Sequence, residues 1–248
     1  MTTIAGEGTP EAAWQDWPTL HRFPPLELAG CDRAVLVAPH PDDEILGAGG
    51  LLRLLAGRGA RVDIVAVTDG DASHPDSPTA TPGDLATRRR AESALALERL
   101  GLGGCGVHRL GLGDGQVAAV EDDLRDRLVD LVGDADGSVW CLSTWGGDGH
   151  PDHEAAGRAA RAACAATGAR LLTFPIWTWH WAEPGDPRVP WSRARSVALD
   201  PATRAAKLAA IGCFDSQLRP LSDHPADATI LGPAVLARLT RPCEVVFT

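Results

Sequence analysis

Short apolar, β-branched runs alternate with longer stretches of helical periodicity along most of the chain. Ala34-Val-Leu-Val-Ala38 has no polar interruption, the mark of a strand buried on both faces, and predicts a first strand over 33–38. Gly47-Ala-Gly-Gly50 leads into a helix at Leu51–Leu55 whose small residues permit close approach to a sheet, ended by Gly57 and Gly59. Arg61–Val67 is a second strand, and residues 72–83, rich in Pro and Ser, form a loop. Asp84 is placed to cap a helix over about 85–100, Gly106–Leu112 is a third strand, and Ala118–Val132 carries an apolar helical stripe. Ser138–Leu142 is a fourth strand, an Ala-rich helix spans about 152–167, and Leu171–Ile176 is a fifth strand. This alternation predicts an α/β fold, a mostly parallel sheet with helices on both faces.

Past residue 177 the rhythm changes to a Trp- and Pro-rich stretch, a strand near 195–199, a helix at 201–213 and a last strand at 243–247. Trp177-Thr-Trp-His-Trp181 alternates like a strand, which would put its three indoles on one face. Residues 1–30 have little periodicity and read as an N-terminal strap with its aromatic groups packed on the surface; residues 31–248 read as a single domain. A length of 248 residues, 44% hydrophobic and 23% charged, suits one large domain. The net charge of −10 argues against nucleic acid or anionic membrane as a partner. No apolar stretch approaches the ~20 residues of a membrane span. The N-terminus lacks the basic start and apolar core of a secretory signal, and the six cysteines show no paired spacing, so a cytoplasmic location is expected. Homo-oligomerisation is left open. With no tyrosine and a single lysine, Lys207, phenol and Schiff-base chemistry recede.

The candidate chemistry stands where two strands end. The first strand runs into His40, Asp42, Asp43 and Glu44; the fourth is followed by His150-Pro-Asp-His153. Ionisable groups at the end of a buried strand are costly unless paired or bound to something, and carboxyl ends of strands are where α/β sheets bind ligands. A catalytic divalent metal takes three protein ligands and leaves a position open. His40 and Asp43 can point at a common centre across a strand-to-helix turn, and His153 can complete the set. The bland reading is that His40 and Asp43 cap the following helix; the second cluster weighs against it. Two histidines and a carboxylate also suit non-haem iron, but the α/β pattern and the lack of soft ligands favour zinc with a hydrolytic task. Gly101-Leu-Gly-Gly-Cys-Gly106 matches a dinucleotide fingerprint but follows a helix and precedes a strand, the wrong context.

Ala38-Pro-His-Pro-Asp-Asp-Glu44 with His150-Pro-Asp-His153 resembles the LmbE-like, or PIG-L, family of zinc-dependent N-acetylglucosaminyl deacetylases. Thr68-Asp-Gly70, Arg89-x-x-Glu92, Leu110-Gly-Leu-Gly-Asp114-Gly115 and Lys207 with Ser216-Gln217 resemble weaker family signatures in the expected order. The resemblance implies a Rossmann-like fold, Zn²⁺ on His40, Asp43 and His153 (Fe²⁺ or Co²⁺ fit the same ligands), and hydrolysis of an N-acetyl or other N-acyl group on an amino sugar. It implies Asp42 as the general base for the attacking water and His150 as oxyanion donor or acid toward the leaving amine. Asp152 is expected to orient His150 and raise its pKa, or to cap the 152–167 helix. Arg89 and Asp114 match positions associated with sugar binding.

One departure stands out. Mycothiol-pathway members carry a tyrosine before the second His motif, where this chain has Asp148. The favoured reading is a metal-dependent N-deacetylase acting on an N-acylated amino sugar or sugar-containing small molecule. The alternatives are an amidase for a larger sugar-amide conjugate and a non-catalytic sugar-binding protein on the same fold. His74 and His180 are expected in a loop and in packing, and the Trp177–Trp181 stretch as an aromatic cluster before a sugar platform.

Overall fold

The computed structural model describes residues 6–248. The chain alternates β1 (Arg33–Ala38), α2 (Asp43–Ala56), β2 (Arg61–Thr68), α3 (Pro82–Leu100), β3 (Gly106–Leu112), α4 (Glu121–Val132), β4 (Val139–Thr144), α5 (Pro151–Thr167) and β5 (Arg170–Phe174), after a short α1 (Glu11–Gln15). The rest comprises α6 (Thr178–Trp181), β6 (Ala194–Ala198), α7 (Pro201–Ile211), α8 (Asp215–Leu218), α9 (Pro233–Leu239) and β7 (Cys243–Phe247). The seven strands lie in the order β3-β2-β1-β4-β5-β7-β6, with β1 to β5 parallel and β7 antiparallel to both its neighbours. This is the single-domain α/β sheet that the alternation predicts.

The pleat sorts β1 residue by residue. Ala34, Leu36 and Ala38 join a core with Leu51, Leu97, Leu100, Ala210 and Ile211, from α2, α3 and α7. Val35 and Val37 join a second core with Leu124, Leu128, Ala155, Ala156 and Ala159, from α4 and α5. A strand apolar on both faces is what a helix layer on each side demands. The chain leaves β1 for β2 on one side while β4 lies on the other, which makes the β1/β4 ends the topological switch point where such sheets bind ligands.

Several local expectations change. The helix after β1 begins at Asp43, not near Leu51, and breaks at Ala48. Thr81 caps α3 and Asp84 is the third residue of its capping box, because Pro82 sits well at a helix start. A 3₁₀ turn at Val117–Val120 precedes α4. Trp177–Trp181 is a helical turn and not a strand: β5 stops at Phe174 before Pro175, and the backbone N–H groups of 176–178 turn onto one buried carboxylate. Trp14 is wholly enclosed and not a surface group; its indole N–H donates to the Trp179 carbonyl, and its ring meets Trp179 edge-on at 5.0 Å. All six cysteines are free, and among the described residues no helix is long and apolar enough to cross a membrane.

Candidate metal centre

The switch point brings His40, from the end of β1, beside His153 in the first turn of α5, with Asp43 opening α2. His40 Nδ1, His153 Nε2 and Asp43 Oδ2 form a nearly equilateral triangle with edges of 3.2, 3.3 and 3.4 Å. Ligands about 2.0–2.1 Å from a tetrahedral ion stand about 3.3–3.4 Å from one another. The three donor atoms therefore have the spacing of a divalent metal's ligands.

Each donor is held from behind. His153 Nδ1 donates to Asp148 Oδ2 at 2.8 Å, which leaves the Nε2 lone pair free for the triangle. His40 Nε2 lies 3.2 Å from both Asp114 Oδ1 and Asp152 Oδ2, so the ring proton belongs there and Nδ1 faces inward. Asp43 Oδ2 also accepts the His40 backbone N–H at 2.9 Å. Burial alone would depress both histidines, yet Asp114, Asp152 and Asp43 raise His40 well above its usual value. Against the same burial, Asp43 and Asp148 lift His153 to about 9. Burial would raise Asp43, but His153 and His40 hold it well below the usual carboxylate range. Such a centre favours positive charge, the condition for a cation site.

Asp42 sits beside the triangle and outside it. It has a φ of 126°, the only positive value at a non-glycine among the described residues, a strained conformation of the kind that gathers at functional sites. Although Asp42 stands at the N-cap position, its side chain makes no capping bond to α2. Burial pushes its carboxyl up to about 7, with Arg89 opposing and the carboxylates of Asp43 and Glu44 adding. Glu44 braces the turn, accepting from the Asp42 N–H at 3.0 Å and from Ser93 Oγ at 2.7 Å.

His150 is the N-cap of α5. Its Nδ1 accepts the Asp152 N–H at 3.2 Å, so a neutral ring carries its proton on Nε2. Burial, then the His153 and His40 rings, push its pKa down to about 4. Asp43 and Asp152 pull the other way, as expected of Asp152, but are outweighed, so the net shift is opposite to the one expected. The Asp152 carboxylate turns away to His40 and accepts the Gly115 and Val117 N–H groups at 2.7 and 3.1 Å, so it does not cap α5, and it acts on His150 through its charge and not through a hydrogen bond. Those backbone donors outcompete a ring that the helix start aims elsewhere.

The expected sugar-binding residues line the same pocket but are partly engaged. Arg89 donates to the Gly70 and Pro41 carbonyls at 2.9 and 2.8 Å and to Asp42 Oδ2 at 3.2 Å, while its buried Nε has no partner among the described residues. Asp114 Oδ2 accepts the Ala72 N–H at 2.8 Å, and His40 holds its carboxyl down near 2 against the effect of burial. The pocket, about 210 Å³ and open to solvent, has an apolar side of Leu46, Ile176, Trp177, Ile230 and Leu231. His74 sits in its loop against the Ala228 carbonyl, and His180 packs beside Arg238.

Asp148 is the residue that sequence reasoning missed. It is fully buried, and besides His153 it accepts the N–H groups of Ile176, Trp177 and Thr178 at 2.9–3.0 Å and the Thr178 hydroxyl at 2.6 Å. One carboxylate orients a ligand histidine and folds the 176–178 segment against the pocket. Its position two residues before His150 was the available signal; its donors lie some 28 residues downstream.

Comparison with known proteins places this geometry. Residues 35–164 match the PIG-L family, described as GlcNAc-PI de-N-acetylase. A 1D-myo-inositol 2-acetamido-2-deoxy-alpha-D-glucopyranoside deacetylase from Streptomyces avermitilis is 33% identical over 214 residues, covering 72% of this chain and 70% of that one. A diacetylchitobiose deacetylase from Thermococcus kodakarensis is 29% identical over 126 residues, covering 50% and 46%. The chain spans about half the length of the first curated relatives it matches, 46% and 60%. Among solved structures, a conserved protein from Thermus thermophilus superposes with a TM-score of 0.57 at 27% identity, covering 84% of each chain.

Proposed function

The chain belongs to the PIG-L family, and from that premise we propose that it is a zinc-dependent hydrolase that removes an N-acetyl, or other N-acyl, group from an amino sugar or sugar-containing small molecule. The observation that carries the reading is the donor triangle of His40, Asp43 and His153, with a strained carboxylate of pKa about 7 beside it. Two imidazole nitrogens and one carboxylate oxygen, open toward the pocket, are a zinc hydrolase's donor set; iron and cobalt compete for the same atoms. When bound, the ion supplies Lewis acidity, polarising a carbonyl and making water a stronger acid.

The rest of the chemistry falls to the chain's own groups. Asp42, ionised above about pH 7, takes a proton from the attacking water as its oxygen bonds to the amide carbon. His150 donates its Nε2 proton as a hydrogen bond to the developing oxyanion, acting as a neutral ring because burial and the neighbouring His153 and His40 rings disfavour an imidazolium. As the C–N bond breaks, protonated Asp42 returns the proton to the departing amine. Asp148 and Asp152 hold the two ligand histidines in register. Arg89 and Asp114, both on the pocket wall, are proposed to meet the sugar. The names of the relatives support an acetylated glucosamine unit as the substrate. Six free cysteines support a reducing, cytoplasmic setting.

Metal content and carboxylate release test this together. The purified chain should carry close to one zinc and release acetate from some member of a panel of N-acetylglucosaminides, and Asp42→Ala should keep the metal and lose turnover. Bound zinc without product from any N-acyl sugar, with Asp42→Ala behaving as wild type, would identify a binding protein instead.

A further inference from the structure

Helix α2, which begins with Asp43, is broken in its middle. Ala48 leaves helical geometry at φ −143°, ψ 16°. In an unbroken helix the Gly50 N–H would bond to the Leu46 carbonyl and the Leu51 N–H to that of Gly47. Side chains from the far end of the chain take these places. Lys207 Nζ on α7 donates to the Leu46 carbonyl at 2.9 Å, and Glu244 on β7 accepts the Gly50 and Leu51 N–H groups at 2.7 and 2.8 Å. Lys207 and Glu244 then meet each other at 2.6 Å, both buried. An ion pair is thus spliced into the gap in the helical ladder, its cation on the orphaned carbonyl and its anion on the orphaned N–H groups.

A buried ion pair alone is weak evidence of stabilisation, since desolvation offsets much of its attraction. Here the pair also satisfies three backbone groups that would otherwise be buried unpaired. The two halves of α2 are pressed close to the sheet side: a Cβ at Gly47 would lie 2.1 Å from the Phe174 ring, and one at Gly50 2.4 Å from Leu199. The half before the break holds Asp43, whose Oδ2 enters the donor triangle, and Leu46, which lines the pocket. We infer that Lys207 and Glu244 are positioning residues for the metal centre: by fixing the break, they set the angle of the Asp43–Gly47 turn and so the reach of Asp43 toward His40 and His153. The inference rests on the metal-dependent reading above.

The test is metal affinity, read apart from turnover. Zn²⁺ and Co²⁺ are titrated against a competing chelator into the full chain as wild type, Lys207→Met and Glu244→Gln. The control is Asp63→Asn, which disrupts a buried carboxylate paired with Arg33 at 2.7 Å at the opposite end of the parallel strands. Lys207→Met and Glu244→Gln should each weaken metal binding about 10–100-fold, the range for lost support of a ligand, and alter the visible spectrum of bound Co²⁺. Asp63→Asn should lower the Tm and leave both unchanged. If Lys207→Met does not fold, Glu244→Gln, which keeps the volume and one acceptor, decides alone. A lowered Tm with a metal Kd within twofold of wild type would make the pair merely structural and overturn the inference. A wild-type chain that binds neither ion would overturn the proposed function as well, so the two failures are told apart.

Discussion

Replacing Asp148 by Asn tests the centre at its least expected member. The change keeps shape but turns one of two buried oxygens into an NH₂ group. Oδ1 faces three donors, the Ile176 and Thr178 N–H groups and the Thr178 hydroxyl, so the remaining carbonyl oxygen belongs on that side. The NH₂ then faces His153 Nδ1 and the Trp177 N–H, where Oδ2 accepted bonds of 2.8 and 3.0 Å. His153 escapes the donor–donor conflict by moving its proton to Nε2, but that nitrogen is the one in the triangle, and a protonated nitrogen cannot bind metal. Loss of such support costs about 10–100-fold in metal affinity, about 1.4–2.7 kcal/mol. The Trp177 N–H is left buried and unpaired at about 1–3 kcal/mol, and bonds to a charged acceptor become bonds to a neutral one. About 3 kcal/mol in total corresponds to a Tm lower by roughly 6–12 °C for a domain of this size. Chelator competition with Zn²⁺ reads the first effect, and thermal melts with and without Zn²⁺ read the second. An Asp148→Asn chain with a metal Kd within twofold and a Tm within a degree of wild type would refute both the tautomer argument and the hub role of this carboxylate.

Two further outcomes follow from the same geometry. Because Asp42 must be ionised to accept a proton and burial pushes its carboxyl up to about 7, kcat/KM should rise about tenfold per pH unit below that value and level off above it. Asp42→Asn should remove this limb and about 10²–10⁴ of the turnover while binding metal as wild type does; a wild-type profile flat from about pH 5 to 8 would place the base elsewhere. His150→Ala should lower kcat by about 10²–10³, the cost of an oxyanion donor. It should leave the acid limb in place, because His150, pushed down to about 4, is neutral throughout the active range. Loss of that limb in His150→Ala would show that the titrating group is His150 and not Asp42.

The linear pattern carried the fold a long way, because the decisive signals are local. A strand buried on both faces reads as an unbroken apolar run, and Ala34–Ala38 of β1 and Val139–Leu142 of β4 read that way, while β2 and β7 are apolar runs broken once each, by Asp63 and Glu244. The His40–Glu44 and His150–His153 clusters announced themselves because ionisable groups at strand ends are costly without a task. The sequence could also place them at adjacent ends of a parallel sheet, since strand order follows from topology rules and not from side-chain detail.

Assigning partners was beyond it. The Asp152 carboxylate hydrogen-bonds to His40, 112 residues away, and not to its neighbour His150, because only the folded chain delivers the Gly115 and Val117 N–H groups to that carboxylate. Asp148 looked like the loss of a tyrosine until residues 176–178 closed on it; the same contact turned an alternating Trp stretch, which mimics a strand, into a helical turn. The break in α2 has no local marker beyond its glycines, since what holds it is an ion pair formed by Lys207 and Glu244, 37 residues apart from each other and over 150 from the helix. Periodicity and motif spacing are properties of neighbours in the chain, so the sequence by itself determined the elements and the chemistry-bearing residues. Hydrogen-bond partners, tautomers and pKa values depend on which groups share a buried volume, and only tertiary packing decided those.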